Sequence, residues 1–144
     1  MDSRLSLVLS NHLSELKRMS EAVSAWCREN NISSAVEFHL ALALDEIISN
    51  IIRYGWKDSG EHQFNVRLSL SNDAVTVEVE DDATPFNPLD VPAPDLNQPL
   101  DERPVGGLGI HLVRQVMDGL EYQQSDGKNL LVMKKKVSCT QEHR

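Results

Sequence analysis

The stretch Phe64-Asn65-Val66-Arg67-Leu68-Ser69-Leu70-Ser71-Asn72-Asp73-Ala74-Val75-Thr76-Val77-Glu78-Val79 carries the clearest structural signal in the chain. Apolar and polar residues alternate on either side of Ser71-Asn72-Asp73. Successive side chains of a strand point to opposite faces, so each arm reads as a strand with one apolar face, and the pair as a β-hairpin. A sheet wetted on one side is characteristic of antiparallel strands. Its apolar side must be covered, and the flanking sequence supplies the cover.

Upstream, Leu5, Leu7 and Leu9 alternate as a short strand, and Leu16, Met19, Val23, Trp26 and Cys27 then recur at helical spacing as far as Asn30-Asn31. Ser34 followed by Glu37 gives a capping-box signal for a second helix, which runs to about Tyr54 before Gly55. Downstream, Ile110, Val113 and Met117 form a third helical stripe. Leu120 to Gln123 and Asn129 to Lys136, joined through Ser125-Asp126-Gly127, read as a closing hairpin. The expected fold class is α+β: a two-layer sandwich with helices on one face of a mainly antiparallel, mixed sheet. With 144 residues and 40% hydrophobic content, a single domain over 1–144 is expected, burying roughly 70% of its unfolded surface.

Charge and composition exclude several function classes. A formal net charge of -8 disfavours binding to a phosphate backbone, which needs clustered Lys and Arg. The one basic run, Lys134-Lys135-Lys136, ends an apolar strand and reads as solvated. Cys27 and Cys139 have neither zinc nor disulfide spacing. The five histidines, His12, His39, His62, His111 and His143, show no metal spacing, and no serine sits in a nucleophile elbow. Leu5 to Leu9 is too short for a signal segment and nothing approaches the length of a membrane span, so a cytoplasmic protein without membrane or direct nucleic-acid partners is expected.

All six prolines (Pro85, Pro88, Pro92, Pro94, Pro99 and Pro104) lie between Asp81-Asp82 and Gly106-Gly107-Leu108-Gly109. A long irregular segment inside a compact domain is usually a lid or binding loop, here spanning 83–105. It ends where glycines open a helix, and the free N–H groups and dipole of a helix start favour phosphate. The pattern is not a Rossmann fingerprint, since no strand precedes it and Leu112 replaces the third glycine; nor is it a P-loop. Arg103, at the end of the lid, is a candidate for neutralising phosphoryl charge, or else a solvated lid residue.

Glu46 and Asn50 lie one turn apart on the second helix, bordering the stripe of Leu40, Leu44, Ile47 and Ile51. A carboxylate there can act as a base and an amide oxygen can ligate Mg²⁺, although an isolated E-x-x-x-N is more often an exposed polar face. Asp81 continues the odd parity of Val75, Val77 and Val79, which aims it at the core face. A buried carboxylate needs a donor, and the exocyclic amine of a bound base would supply one. The alternative is that Asp81-Asp82 simply ends the strand.

Taken in order, Ala43-Leu44-Asp45-Glu46-Ile47-Ile48-Ser49-Asn50, Asp81-Asp82-Ala83-Thr84-Pro85-Phe86-Asn87-Pro88 and Gly106-Gly107-Leu108-Gly109-Ile110-His111-Leu112-Val113 resemble the three nucleotide-binding boxes of the GHKL ATPase/kinase superfamily. Within it, the chain is most similar to the anti-sigma-factor serine/threonine kinases. The resemblance implies ATP and Mg²⁺ as cofactors, Glu46 as general base, Asn50 as the Mg²⁺ ligand and Asp81 as adenine acceptor. It also implies a phosphate cradle at Gly106, Gly107, Leu108 and Gly109, with Phe86 among the nucleotide-binding residues and the lid closing over ATP. Partners implied are a sigma factor and an anti-anti-sigma protein phosphorylated on serine, with homodimerisation. Ala83 stands where the second box usually has glycine, and arginine placement near the third box varies in the family, which bears on Arg103. An ATP-gated binding switch without phosphoryl transfer is the alternative activity, and an interaction domain that has lost ATP is a third.

Overall fold

The computed structural model describes residues 3–92 and 107–137, with side chains from Gly109 onward in the second stretch. Strand β1 (Ser3–Ser10) is followed by helices α1 (Glu15–Glu29) and α2 (Ser34–Tyr54), then by the hairpin β2 (Gln63–Ser71) and β3 (Ala74–Asp81). A 3-10 turn (Pro88–Asp90), helix α3 (Gly107–Val116) and the hairpin β4 (Gly119–Ser125) and β5 (Lys128–Lys136) complete the chain. The sheet order is β1-β2-β3-β5-β4, and each of its pairings is antiparallel. The two-layer α+β sandwich is therefore present, and among the described residues the sheet is antiparallel throughout.

Binary patterning explains the layers. Phe64, Val66 and Leu68 of β2, Val75, Val77 and Val79 of β3, and Leu131 and Met133 of β5 are buried on one face. They meet the helical stripes Met19, Val23 and Trp26 of α1, Leu40, Leu44, Ile47 and Ile48 of α2, and Ile110 and Val113 of α3. The opposite sheet face is mostly polar, apart from Val8, Leu130 and Val132, and on it Arg67 bridges Glu78 (3.0 Å) and Glu80 (3.3 Å) across the hairpin.

Turn chemistry fixes the connections. Asn72, Asp126 and Gly127 adopt positive φ in the two hairpin turns, and Asn31 does so just after α1. Helix α2 starts one residue earlier than the capping box suggested. Ser33, not Ser34, is the cap, accepting from the Val36 N–H. Glu37 is instead drawn to α1, where the Ser24 hydroxyl donates to it at 2.9 Å. The free edge of β1 is partly closed by α1: Arg18 donates to the Val8 carbonyl (2.6 Å) and Glu15 accepts from the Ser10 N–H (2.9 Å). Cys27 is buried, and Cys139 and His143 lie outside the described residues.

Candidate nucleotide site

At the C-terminal end of β3 the chain turns away from the sheet beside the C-terminal half of α2. The junction encloses a cavity of about 340 Å³ bordered by Ile47, Asn50, Ile51 and Tyr54 of α2, Val79 and Asp81 of β3, Ala83 to Phe86 and Pro88 of the lid segment, and Tyr122, Asn129 and Leu131 of the closing hairpin. That size suits a small ligand, and mostly apolar walls with a few polar groups are the usual makeup of such a site.

Asp81 reaches the cavity as its parity predicted. It stands directly across the β3/β5 ladder from Asn129. Its Oδ1 accepts from the Asn129 amide Nδ2 (2.8 Å) and the Ala83 N–H (2.9 Å). Burial pushes its carboxyl above the usual range, partly offset by those two bonds; the neighbouring charges of Asp82 and Glu80 push it further up. Its Oδ2 meets no donor among the described residues. A base bearing an exocyclic amine would supply that donor.

Ala83, in the place of the family's usual glycine, is buried and has negative φ, so the substitution costs no backbone strain. Its compensation lies across the turn. The Thr84 N–H donates to the Gly55 carbonyl at 2.8 Å, and a Cβ on Gly55 would stand 2.9 Å from that of Ala83. Trp56, next in sequence, donates to Asp82 at 3.1 Å and stacks on His62 with ring centroids 4.6 Å apart.

Glu46 and Asn50 do share one face of α2. The Asn50 amide donates to Glu46 Oε2 (3.2 Å), which leaves the Asn50 oxygen unpaired among the described residues and beside the cavity. The Glu46 carboxylate packs against Gly109, where a Cβ would overlap it. Glycine at this position thus permits the first turn of α3 to approach a carboxylate. The donor set fits a hard cation held by one amide oxygen together with phosphates and waters, an arrangement that requires no protein cage. No cluster of three His, Cys, Asp or Glu side chains capable of holding a metal is found among the described residues.

Phe86 is half exposed at the cavity, and Arg114 of α3 donates to the Val91 carbonyl (2.8 Å), tying the start of the lid to α3. Gly107 and Leu108 open α3 with their backbones, whereas Arg103 and Gly106 lie outside the described residues. Sequence reasoning missed Asn129 and Tyr122. Asn129 is only 6% exposed and is bound on both sides of its amide: Nδ2 donates to Asp81 and to the Ala83 carbonyl (2.9 Å), and Oδ1 accepts from the Tyr122 hydroxyl at 2.6 Å. Its signal was available, since Asn129 shares the parity of Leu131 and Met133 and is a polar residue on an apolar face.

Comparison with known proteins places the chain in a family and a fold. The model of the histidine kinase-like ATPase domain matches residues 9–135. Over 101 residues the chain is 29% identical to the serine/threonine-protein kinase BtrW of Bordetella bronchiseptica, covering 70% of this chain and 71% of that protein. Over 100 residues it is 28% identical to the serine-protein kinase RsbW of Bacillus mycoides, covering 66% of this chain and 61% of the relative. The solved RsbU and RsbW domains of a Mycobacterium tuberculosis protein superpose with a TM-score of 0.68 at 12% identity, over 94% of this chain and 32% of that one, a likeness of fold.

Proposed function

The chain belongs to the histidine kinase-like ATPase domain family, and we propose that it is a Mg·ATP-dependent protein serine/threonine kinase acting as an anti-sigma regulatory factor. The observation that carries this reading is that Asn50 lines the same cavity as Asp81 while hydrogen-bonded to Glu46. The residue suited to reading a base and the residue suited to taking a proton are thereby joined through one side chain. The names of the aligned relatives, serine and serine/threonine kinases, support the same reaction.

In this reading Asp81 Oδ2 accepts from the adenine amine, and the apolar walls around Ile47, Ile51 and Val79 hold the ring. Mg²⁺, when bound, neutralises phosphate charge, and Asn50 Oδ1 is the protein oxygen that would hold it. Glu46 takes the proton from a serine hydroxyl of the substrate protein. The serine oxygen then bonds to the γ-phosphorus as the bond from that phosphorus to the bridging oxygen of ADP breaks. Asn50, bonded to Oε2, orients the base. Gly107, Leu108 and Gly109, with Gly106 and Arg103 beyond the described residues, complete the phosphate end, and the lid over 83–105 excludes water.

The substrate is an anti-anti-sigma protein and the sequestered partner a sigma factor. The kinase works as a cytoplasmic homodimer, with residues 1–144 as one ATP-binding domain. No described helix is long and apolar enough to cross a membrane.

Two measurements test the proposal. Saturating Mg·ATP, at about a hundred times its dissociation constant, stabilises the fold by about 2.7 kcal/mol, and Asp81→Asn loses that shift. Glu46→Gln retains the shift but transfers no γ-phosphoryl to the antagonist protein. If wild type and Glu46→Gln gate partner binding equally and neither yields phosphoprotein, the chain is an ATP-dependent switch instead. Absence of any shift at millimolar Mg·ATP defeats both readings.

A further inference from the structure

The donors of the Asn129 amide are fully committed. Both hydrogens of Nδ2 are used, one on Asp81 Oδ1 and one on the Ala83 carbonyl, and Oδ1 accepts from the Tyr122 hydroxyl. The two neighbours of Nδ2 are acceptors without hydrogens of their own, so the amide has one orientation and its oxygen requires a donor. Tyr122, on the edge strand β4, supplies it. Asn129 therefore has no hydrogen left to donate to a ligand. Its effect on the cavity passes through Asp81.

That effect is to make Asp81 a single acceptor. Asp81 Oδ1 already holds two donors, from Asn129 and from the Ala83 backbone, and only Oδ2 remains. The two purine bases differ in what they ask of a carboxylate. Guanine presents two parallel donors, N1–H and the 2-amino group, which fit both oxygens of one carboxylate. Adenine presents one donor, its 6-amino group, beside the N1 acceptor. A carboxylate with one free oxygen meets the single amino donor that adenine directs at it, whereas guanine's two parallel donors can reach one oxygen only at bent angles, which is costly in an apolar pocket.

We propose that Asn129 and Tyr122 are positioning residues that set the base selectivity of the cavity by holding Asp81 in a one-acceptor state, favouring 6-aminopurine over guanine nucleotides. The inference rests on the nucleotide-binding reading above and adds to it a selectivity filter made by residues that touch no reacting group.

The test is direct binding of Mg·ATP, Mg·GTP and Mg·ITP to the full chain by calorimetry, for wild type, Asn129→Ala and Tyr122→Phe. Wild type binds ATP in preference to GTP. Asn129→Ala vacates one of the two donor positions on Asp81 Oδ1, and the ATP-over-GTP preference falls by about tenfold or more, with GTP gaining on ITP because only guanine carries the second donor. Tyr122→Phe strands the Asn129 oxygen and shifts the preference the same way by a smaller factor. It serves as the decisive variant if Asn129→Ala fails to fold by thermal unfolding. A merely structural role predicts that both affinities fall together at constant ratio, and that result overturns the inference while the nucleotide site stands. Equal binding of ATP and GTP by wild type overturns it likewise. Binding of none of the three by wild type removes the nucleotide site itself, and the inference with it.

Discussion

The carboxylate of Glu46 rests on the Cα of Gly109, so closely that a single methyl group there would overlap it. The contact joins α2 to the first turn of α3 at the point where the proposed proton acceptor and a helix start meet. Gly109→Ala must displace one of the two, and a displacement of about 1 Å in a reacting group costs roughly a hundredfold in rate. We expect single-turnover phosphoryl transfer to fall by at least about that factor. Gly119→Ala is the control, because its added Cβ would meet nothing nearer than Lys134 Cβ at 3.8 Å, and its transfer rate should match wild type.

Gly55 and Ala83 form a complementary pair across the turn that follows β3. A Cβ on Gly55 would lie 2.9 Å from that of Ala83 and 2.5 Å from the Ile51 carbonyl oxygen. Gly55→Ala should cost about 1–3 kcal/mol in urea unfolding, as overpacked sites do. Adding Ala83→Gly removes one of the two clashes, so the double variant should recover part of the loss rather than sum the two effects.

Glu15 gives an acid-sensitive hold on the β1 edge. Its hydrogen bond from Arg18, followed by that from the Ser10 N–H, holds its carboxyl at about 2, below the ordinary 4.5. A lowered carboxyl pKa contributes stability that is present above 4.5 and lost as pH falls from there toward 2. Arg18 is half exposed, so the ion pair is screened and Glu15→Gln should cost only about 1 kcal/mol at pH 7. The gap between variant and wild type should close through that window in denaturant titrations run at successive pH values.

Asp81 behaves in the opposite sense. Burial raises its carboxyl above 3.8, so its ionised form is penalised in the folded state. As pH falls from neutrality toward that value, the native protein takes the proton before the unfolded chain does, and the ligand-free fold gains stability relative to Asp81→Asn. Nucleotide affinity should fall over the same range, because a protonated Oδ2 no longer accepts well from an amine. Thermal unfolding with and without Mg·ATP between pH 7 and about 4 checks both signs.

Patterning made the layers legible in sequence, because strand alternation and helical stripes record which face is dry. Asp81 was legible for the same reason. Asn129 carried an identical mark, yet its place opposite Asp81 depends on the β3/β5 register, which joins residues far apart in the chain. The Glu46–Gly109 contact was hidden because it depends on how two helices pack. Ser33 and Ser34 are both competent caps. What decided between them was tertiary: Glu37, the expected partner in the box, is engaged by Ser24 of α1. Arg103 and Gly106 fall outside the described residues and retain only the roles the family resemblance implies.

Asp81 belongs to the sheet, whereas Glu46 and Asn50 belong to the helical layer, and the core packing of Val79, Ile47 and Ile51 joins the two layers. The thickness of that hydrophobic seam therefore works as a gauge block between the two halves of the site. Shaving it, as Val79→Ala would, should alter the fit between the proposed base reader and the proposed proton acceptor without touching either one. Enzymes assembled across two layers in this way carry part of their substrate fit in the packing of the core.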